Sequence, residues 1–211
     1  MMKHFWLFLI LAPAALAQQW EFGGLAGGGF LPNHTVGGST PAVSAGFNFG
    51  PAVGLTITQD LYPRVSGEIR YLFEQSNARL RSGSASTSMA GQAHVIHYDV
   101  LYHLRNRREP LRPYVAAGFG VKIYRATGDE LAYRPLMQYA WLTRAHEVKP
   151  MFSFGGGLKV RLKPRLLFRM DIRDQLTRFP TKIITAAPGM SLGGWLHDFV
   201  PTAGLSWLLP R

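Results

Sequence analysis

Polar and apolar side chains alternate along several stretches of the chain. Around residue 98, for example, Ile96, Tyr98 and Val100 share one face, while His97 and Asp99 share the other. A period of two indicates β-strands, because successive side chains of a strand point to opposite sides of the sheet. This pattern predicts eight strands, at residues 20–30, 45–58, 65–74, 93–104, 114–125, 152–162, 166–175 and 196–209.

The connections between these predicted strands are alternately short and long. The short ones are residues 60–64, 105–112 and 163–165, and the long ones are residues 31–43, 76–90, 127–149 and 177–194. This alternation is typical of an up-and-down transmembrane β-barrel, which has short periplasmic turns and longer outer loops. A soluble sandwich with Greek-key connections gives no reason for it. The predicted fold class is therefore all-β, an eight-stranded antiparallel barrel.

The two faces of the predicted strands differ in charge. In five of the strands, charged residues share one face, and aliphatic and aromatic residues share the other. In the second strand, Phe47, Phe49 and Val53 share a face opposite polar residues such as Asn48 and Thr56. A soluble lipocalin-type barrel has the same period with the opposite polarity, so periodicity alone leaves both open. Two sets of residues favour a transmembrane barrel over a soluble one. Glycines suited to a narrow lumen lie on the charged face, at Gly23, Gly118, Gly120, Gly155 and Gly157. Aromatic residues suited to interface girdles lie near strand ends, at Trp20, Tyr62, Tyr102, Tyr124 and Trp195.

The first 17 residues have the layout of a secretory signal peptide. Lys3 and His4 form a basic start, residues 5–11 are apolar, and Ala15 and Ala17 bracket a small-residue cleavage site. A membrane anchor is disfavoured, because the apolar run is much shorter than about 20 residues and Pro13 interrupts it. We expect residues 1–17 to be removed on export, leaving residues 18–211 as one barrel domain.

Composition narrows the possible partners. The net charge is +11 and cysteine is absent, which excludes disulfides, thiolate metal sites and a cysteine nucleophile. The basic residues are scattered and form no stripe interleaved with aromatic residues, so a nucleic-acid partner is not expected. Attraction to anionic lipid headgroups is the expected use of this charge.

Four stretches resemble the OmpA-type outer-membrane β-barrel domain family across residues 18–211. They are the glycine-rich WEFGGLAGGGF, RPYVAAGFGVKIY, FSFGGGLKVRL and the closing AGLSW. The resemblance implies a monomeric barrel in the outer membrane of a diderm bacterium, inserted by the barrel-insertion machinery. The chain departs from the family pattern at its end, where Leu209-Pro210-Arg211 replace a terminal aromatic residue. We do not expect the peptidoglycan-binding domain that follows some barrels of this family, so wall anchoring is not expected either.

The charged face supplies the candidate site. Its residues are Glu68, Arg70, His97, Asp99, Lys122, Lys159, Arg161, Arg169, Asp171 and Arg173. Side chains fill the interior of an eight-stranded barrel, and buried charges are retained when they are paired. The prediction is therefore a structural network of ion pairs inside the barrel. The alternative is a narrow channel for small solutes, which would prefer anions because basic residues are in excess.

A lipid-modifying barrel enzyme is the second alternative. His97, Asp99 and His103 share a face, but no serine accompanies them in a recognisable motif. A shared metal ion is not expected, because His97 and His103 are about 20 Å apart along a strand. The sequence therefore predicts a non-enzymatic barrel without a cofactor, with a structural or surface-interaction role.

The loop at residues 76–90 is a candidate contact surface. It begins with Arg79 and Arg81 and continues with small polar residues. Arginine in this position could bind lipopolysaccharide phosphates, so lipopolysaccharide and outer-membrane lipid are the expected partners. The other interpretation is a flexible, solvated spacer.

Overall fold

The computed structural model describes residues 19–210, and eight long antiparallel strands form its framework. They are β1 (Trp20–Gly29), β2 (Gly50–Asp60), β3 (Val65–Gln75), β4 (Gly91–His103), β5 (Leu111–Ala126), β6 (His146–Lys163), β7 (Leu166–Arg178) and β8 (Phe199–Leu208). Each strand pairs with the next, and β8 pairs with β1, which closes the barrel. The predicted fold class is confirmed. Within residues 19–210, no helix has the length and apolar character needed to span a membrane.

The wall of the barrel has apolar side chains outside and charged side chains inside. Ile69, Val115 and Phe119 are exposed on the outer surface, whereas Glu68 and Arg70 are fully buried in the lumen. This polarity suits hydrocarbon outside and is the reverse of a soluble lipocalin-type barrel. Backbone groups in the wall are paired between strands all the way round, as a membrane requires.

The four long connections form one structured unit at one end of the barrel, which we call the outer cap (residues 30–48, 76–90, 127–145 and 179–198). Its four-stranded sheet consists of His34–Thr35, Ser44–Phe47, Ala78–Ser82 and Ala85–Met89. A second sheet pairs Ala140–Leu142 with Ile184–Ala186, so the third and fourth connections are joined as well. The short connections, at residues 61–64, 104–110 and 164–165, lie at the other end.

The outer cap has a hydrophobic core of its own. Its buried residues include Leu31, Val43, Phe47, Leu80, Met89, Leu136, Phe179 and Ile184. Tyr124 and Ala126 at the end of β5 belong to the same cluster, and the Phe47 ring stacks on Tyr124 at a centroid distance of 5.6 Å. The cap core therefore continues into the mouth of the barrel.

The prediction is wrong at the second strand and at Tyr124. The predicted strand 45–58 is two strands, because the backbone N–H of Asn48 bonds to Asn77 in the cap instead of continuing the wall. As a result Phe47 is 4% exposed inside the cap, whereas Phe49 is 68% exposed on the wall. Tyr124 is no girdle residue, since it is buried with its hydroxyl 2.9 Å from Thr177 Oγ1.

The loop predicted as a candidate flexible spacer is an ordered hairpin. Ala78–Ser82 pairs with Ala85–Met89 around a turn in which Gly83 has a φ of 58°. This backbone conformation favours glycine because a Cβ would be strained there. The predicted leader at residues 1–17 lies outside the described residues.

Candidate functional site

The centre of the lumen holds a ring of alternating charges. Arg70 Nη2 lies 2.9 Å from Glu68 Oε1 and 2.7 Å from Asp171 Oδ2. Arg169 closes the ring, with Nη1 2.7 Å from Glu68 Oε2 and Nη2 2.9 Å from Asp171 Oδ2. Each guanidinium therefore bridges the same two carboxylates, and this pairing offsets the cost of burying four charges.

Strand geometry explains why these residues meet. Residues two apart on a strand share a face, so β3 presents Glu68 and Arg70 together and β7 presents Arg169 and Asp171. Closing the barrel brings the two strands face to face across the lumen, although they are not neighbours in the sheet.

Neutral hydroxyl groups complete the central ring. Thr58 donates to Glu68 Oε2 at 2.8 Å, and Thr202 donates to Asp171 Oδ1 at 2.8 Å. The hydroxyl of Tyr114 donates to Asp171 Oδ2 at 2.6 Å. The carboxylates therefore have hydrogen bonds besides those from arginine, which a buried charge needs.

Arg173 lies beside this ring in a less complete environment. Its Nε is 3.4 Å from Asp99 Oδ2, and none of its three nitrogens has a hydrogen-bond partner among residues 19–210. Asp99 Oδ1 in turn lies 3.0 Å from Nδ1 of His97. A Cβ added at Gly118 would collide with Asp99, so a glycine there makes room for the buried carboxylate.

A second group of charges lies towards the outer cap. Lys122 Nζ is 2.5 Å from Glu74 Oε2 and 2.9 Å from Gln175 Oε1, and it also contacts Asp198. Asp198 belongs to the outer cap, so this lysine ties the cap to the interior of the barrel. All four residues are buried.

A third group lies towards the short turns, where Lys159 Nζ is 2.6 Å from Glu21 Oε2. Arg161 is also on β6, but it forms none of the ion pairs found among the described residues. It is half-buried near the end of the strand, and its Nη2 donates to the carbonyl of Arg107 at 2.8 Å. The structure therefore places Arg161 apart from the other candidate residues.

Several residues in these clusters were not among the candidates. Glu21 lies two residues before Gly23 on the same strand face, so the alternation could have identified it. Tyr114 and Gln175 likewise alternate in phase with Lys122 and Arg173. Asp198 falls within the predicted strand 196–209, in phase with Thr202 and Gly204, so the alternation could have identified it as well.

Ser66, His103 and Asp60 come together near the short turns, which the sequence did not indicate. The Ser66 hydroxyl donates to Asp60 Oδ1 at 2.6 Å and lies 3.0 Å from His103 Nε2. In a catalytic triad the carboxylate instead bonds the second ring nitrogen of the histidine. That nitrogen, His103 Nδ1, has no hydrogen-bond partner within the described chain. The arrangement therefore lacks the geometry of a triad.

No group of three or more metal-ligating side chains is placed to hold a metal ion within residues 19–210. What the lumen presents instead is a stack of ion pairs with the outer cap above it.

Comparisons with known proteins agree with this architecture. OprG from Pseudomonas aeruginosa superposes with a TM-score of 0.63 at 14% identity, covering 92% of this chain and 96% of that protein. Neisserial surface protein A gives 0.52 at 10% identity, over 90% and 96% of the two chains. The outer membrane protein AlkL, determined in lipid bilayers, gives 0.51 at 13% identity, over 92% and 90%. Identities this low show a common fold and no more.

No curated protein matches the chain. The family described as the OprF membrane domain matches residues 11–143, which is more than half of the sequence. The chain therefore belongs to the OprF membrane-domain family of bacterial outer-membrane barrels.

Proposed function

We propose that this protein is a non-enzymatic, non-conducting outer-membrane barrel whose outer cap offers an ordered interaction surface outside the cell. The observation that carries the proposal is the continuity between the cap core and the barrel mouth. A loop region with its own core and two sheets keeps one shape, as a recognition surface requires.

The lumen supports the non-conducting part of the proposal. Three groups of ion pairs follow one another between the short turns and the cap, around Lys159, Arg169 and Lys122. Ions would have to separate these pairs in order to pass, and an unpaired buried charge costs several kcal/mol. The apolar cap core adds a second barrier at the outer end.

Basic side chains on the cap support lipopolysaccharide as the surface partner. Arg81, Arg144 and Lys182 are exposed there, and Arg79 is half-exposed beside Arg81 on the hairpin. Guanidinium groups bind phosphate through paired, charge-assisted hydrogen bonds. Export through the leader at residues 1–17, assembly by the barrel-insertion machinery and a monomeric state belong to the same proposal.

Recordings in planar bilayers test the closed lumen. We expect no steady current from the folded protein. The double variant Lys122→Met with Lys159→Met serves as a positive control. It removes two amines that fill the lumen and should raise the frequency of brief channel openings. Steady anion-selective current from the unaltered protein would instead support the narrow channel. Hydrolysis or acyl transfer on lipid A by the pure protein would support an enzyme.

Binding of lipopolysaccharide to the folded protein tests the surface role. Arg79→Gln with Arg81→Gln should weaken binding about tenfold, because two charge-assisted contacts are lost. Arg105→Gln, at the opposite end of the barrel, serves as the control and should leave binding unchanged. Equal weakening by both would show that only overall charge matters.

A further inference from the structure

At the end of the barrel that carries the short turns, two arginines lie beside one carboxylate and a third lies next to them. Arg107 Nε lies 2.8 Å from Asp60 Oδ2, and Arg112 Nη2 lies 3.9 Å from Asp60 Oδ1. Arg161 approaches from β6 and bonds the carbonyl of Arg107. Asp60 neutralises one of these three charges, so the group keeps an excess of positive charge.

The hydrogen-bonding capacity of this group is also unfilled. Asp60 Oδ1 already accepts a hydrogen bond from Ser66. Arg112 is only 5% exposed, yet its Nε and Nη2 have no hydrogen-bond partner within the described chain. Buried donors without acceptors are costly, and oxyanions are the acceptors that match a guanidinium.

A cleft opens beside Arg107. It has a volume of about 560 Å³ and is lined by Leu61, Tyr62, Pro63, Asn106, Arg107 and Arg108. One turn contributes Leu61, Tyr62 and Pro63, and the other contributes Arg107 and Arg108, so the cleft suits a molecule with an anionic head and an apolar body. Tyr62 is 67% exposed at the rim, which is the position of an interface aromatic residue.

We propose that this cleft binds the headgroup of an anionic phospholipid in the periplasmic leaflet. Arg107 and Arg108 contact the phosphate, and Leu61 and Tyr62 lie against the glycerol and the first acyl carbons. Arg112 and Arg161 add positive charge behind Arg107. The site lies at the opposite end of the barrel from the cap, so it goes beyond the proposed function. Its assignment to the periplasmic leaflet rests on the orientation of the barrel in that function.

Native mass spectrometry of the folded protein in detergent tests the site with three separate probes: phosphatidylglycerol, phosphatidylcholine and inorganic phosphate. We expect phosphatidylglycerol to bind about tenfold more tightly than phosphatidylcholine, because only the former carries net negative charge. Arg107→Gln with Arg108→Gln should abolish this preference.

Two controls keep the result interpretable. Arg165→Gln removes an exposed charge from a different short turn and should keep the tenfold preference. The shift in gel mobility between unboiled and boiled samples verifies that each variant folds. Arg108→Gln alone serves if the double variant does not fold, and it should reduce the preference to about threefold.

Three outcomes would overturn the proposal. The preference could survive both cleft variants, or Arg165→Gln could reduce it as much as they do. Alternatively, inorganic phosphate at equal concentration could displace phosphatidylglycerol, in which case the ligand is free phosphate and the lipid assignment is wrong.

Discussion

The barrel wall and the outer cap are both built from paired strands, but their polarity is opposite. In the wall, Phe119 faces outwards and Arg169 is buried. In the cap, Phe47 and Leu80 are buried and Arg81 is exposed. The chain changes from one arrangement to the other within a few residues, because the wall faces hydrocarbon and the cap faces water.

The two regions are therefore stabilised by different forces. Removing apolar surface from water drives the packing of the cap. In the wall, the apolar side chains contact lipid and do not pack against one another, so the inside of the barrel depends on strand hydrogen bonds, polar packing and ion pairs. Substitutions of the same kind should therefore change stability differently in the barrel wall and in the outer cap.

The largest effect is expected from breaking the central ring of charges. Arg169→Met leaves Glu68 and Asp171 with one arginine between them and should lower the free energy of unfolding by about 4 kcal/mol. Urea titration of the protein in lipid vesicles measures it. Arg81→Met, which removes an exposed arginine of the cap, is the control, and an equal loss from both would contradict the comparison.

A matched pair of phenylalanines probes the boundary itself. Phe47→Ala creates a cavity in the cap core and should cost about 3 kcal/mol of cap stability, whereas Phe49→Ala removes a lipid-facing ring and leaves no cavity. Limited proteolysis should cleave the cap in the first variant only, with the barrel intact in both. Similar cleavage of the two would show that the cap is not a packed unit.

A charge placed on the lipid-facing surface should lower the free energy of unfolding slightly less than the cavity in the cap core does. Phe119→Arg puts a guanidinium among the acyl chains and should lower stability by about 2 kcal/mol, measured by the same titration in vesicles. Tyr133→Arg, at an exposed position of the cap, should have almost no effect. If the two variants unfold alike, the outer face of β5 does not lie in hydrocarbon.

The smallest effect concerns the hydroxyl groups around the central ring. Thr202→Val removes one hydrogen bond to Asp171, which keeps its contacts with Arg70 and Arg169. We expect a loss of about 1 kcal/mol. The exposed Thr181→Val should be neutral, and a loss as large as that of Arg169→Met would mean that the ion pairs contribute little.

The sequence predicted the wall well because a strand between two different environments has a strict period of two. Arg70, Asp99 and Arg169, which the same period places on the charged face, are buried. Periodicity failed at Phe47, which continues the phase of the wall but packs into the cap. The same period places Asp198 on the polar face of the last predicted strand, but it could not reveal the contact with Lys122, because that contact joins segments that are distant in the sequence.

The sheets of the cap also restrict how its surface can change. Ser44–Phe47 pairs with Ala78–Ser82, and Ala140–Leu142 pairs with Ile184–Ala186, so each sheet joins segments from two different connections. An insertion in one connection would shift the register of its partner in another. Mutational diversity in the cap should therefore accumulate at hairpin tips such as Gly83. Antibodies raised against the cap should recognise epitopes assembled from several connections more readily than linear peptides.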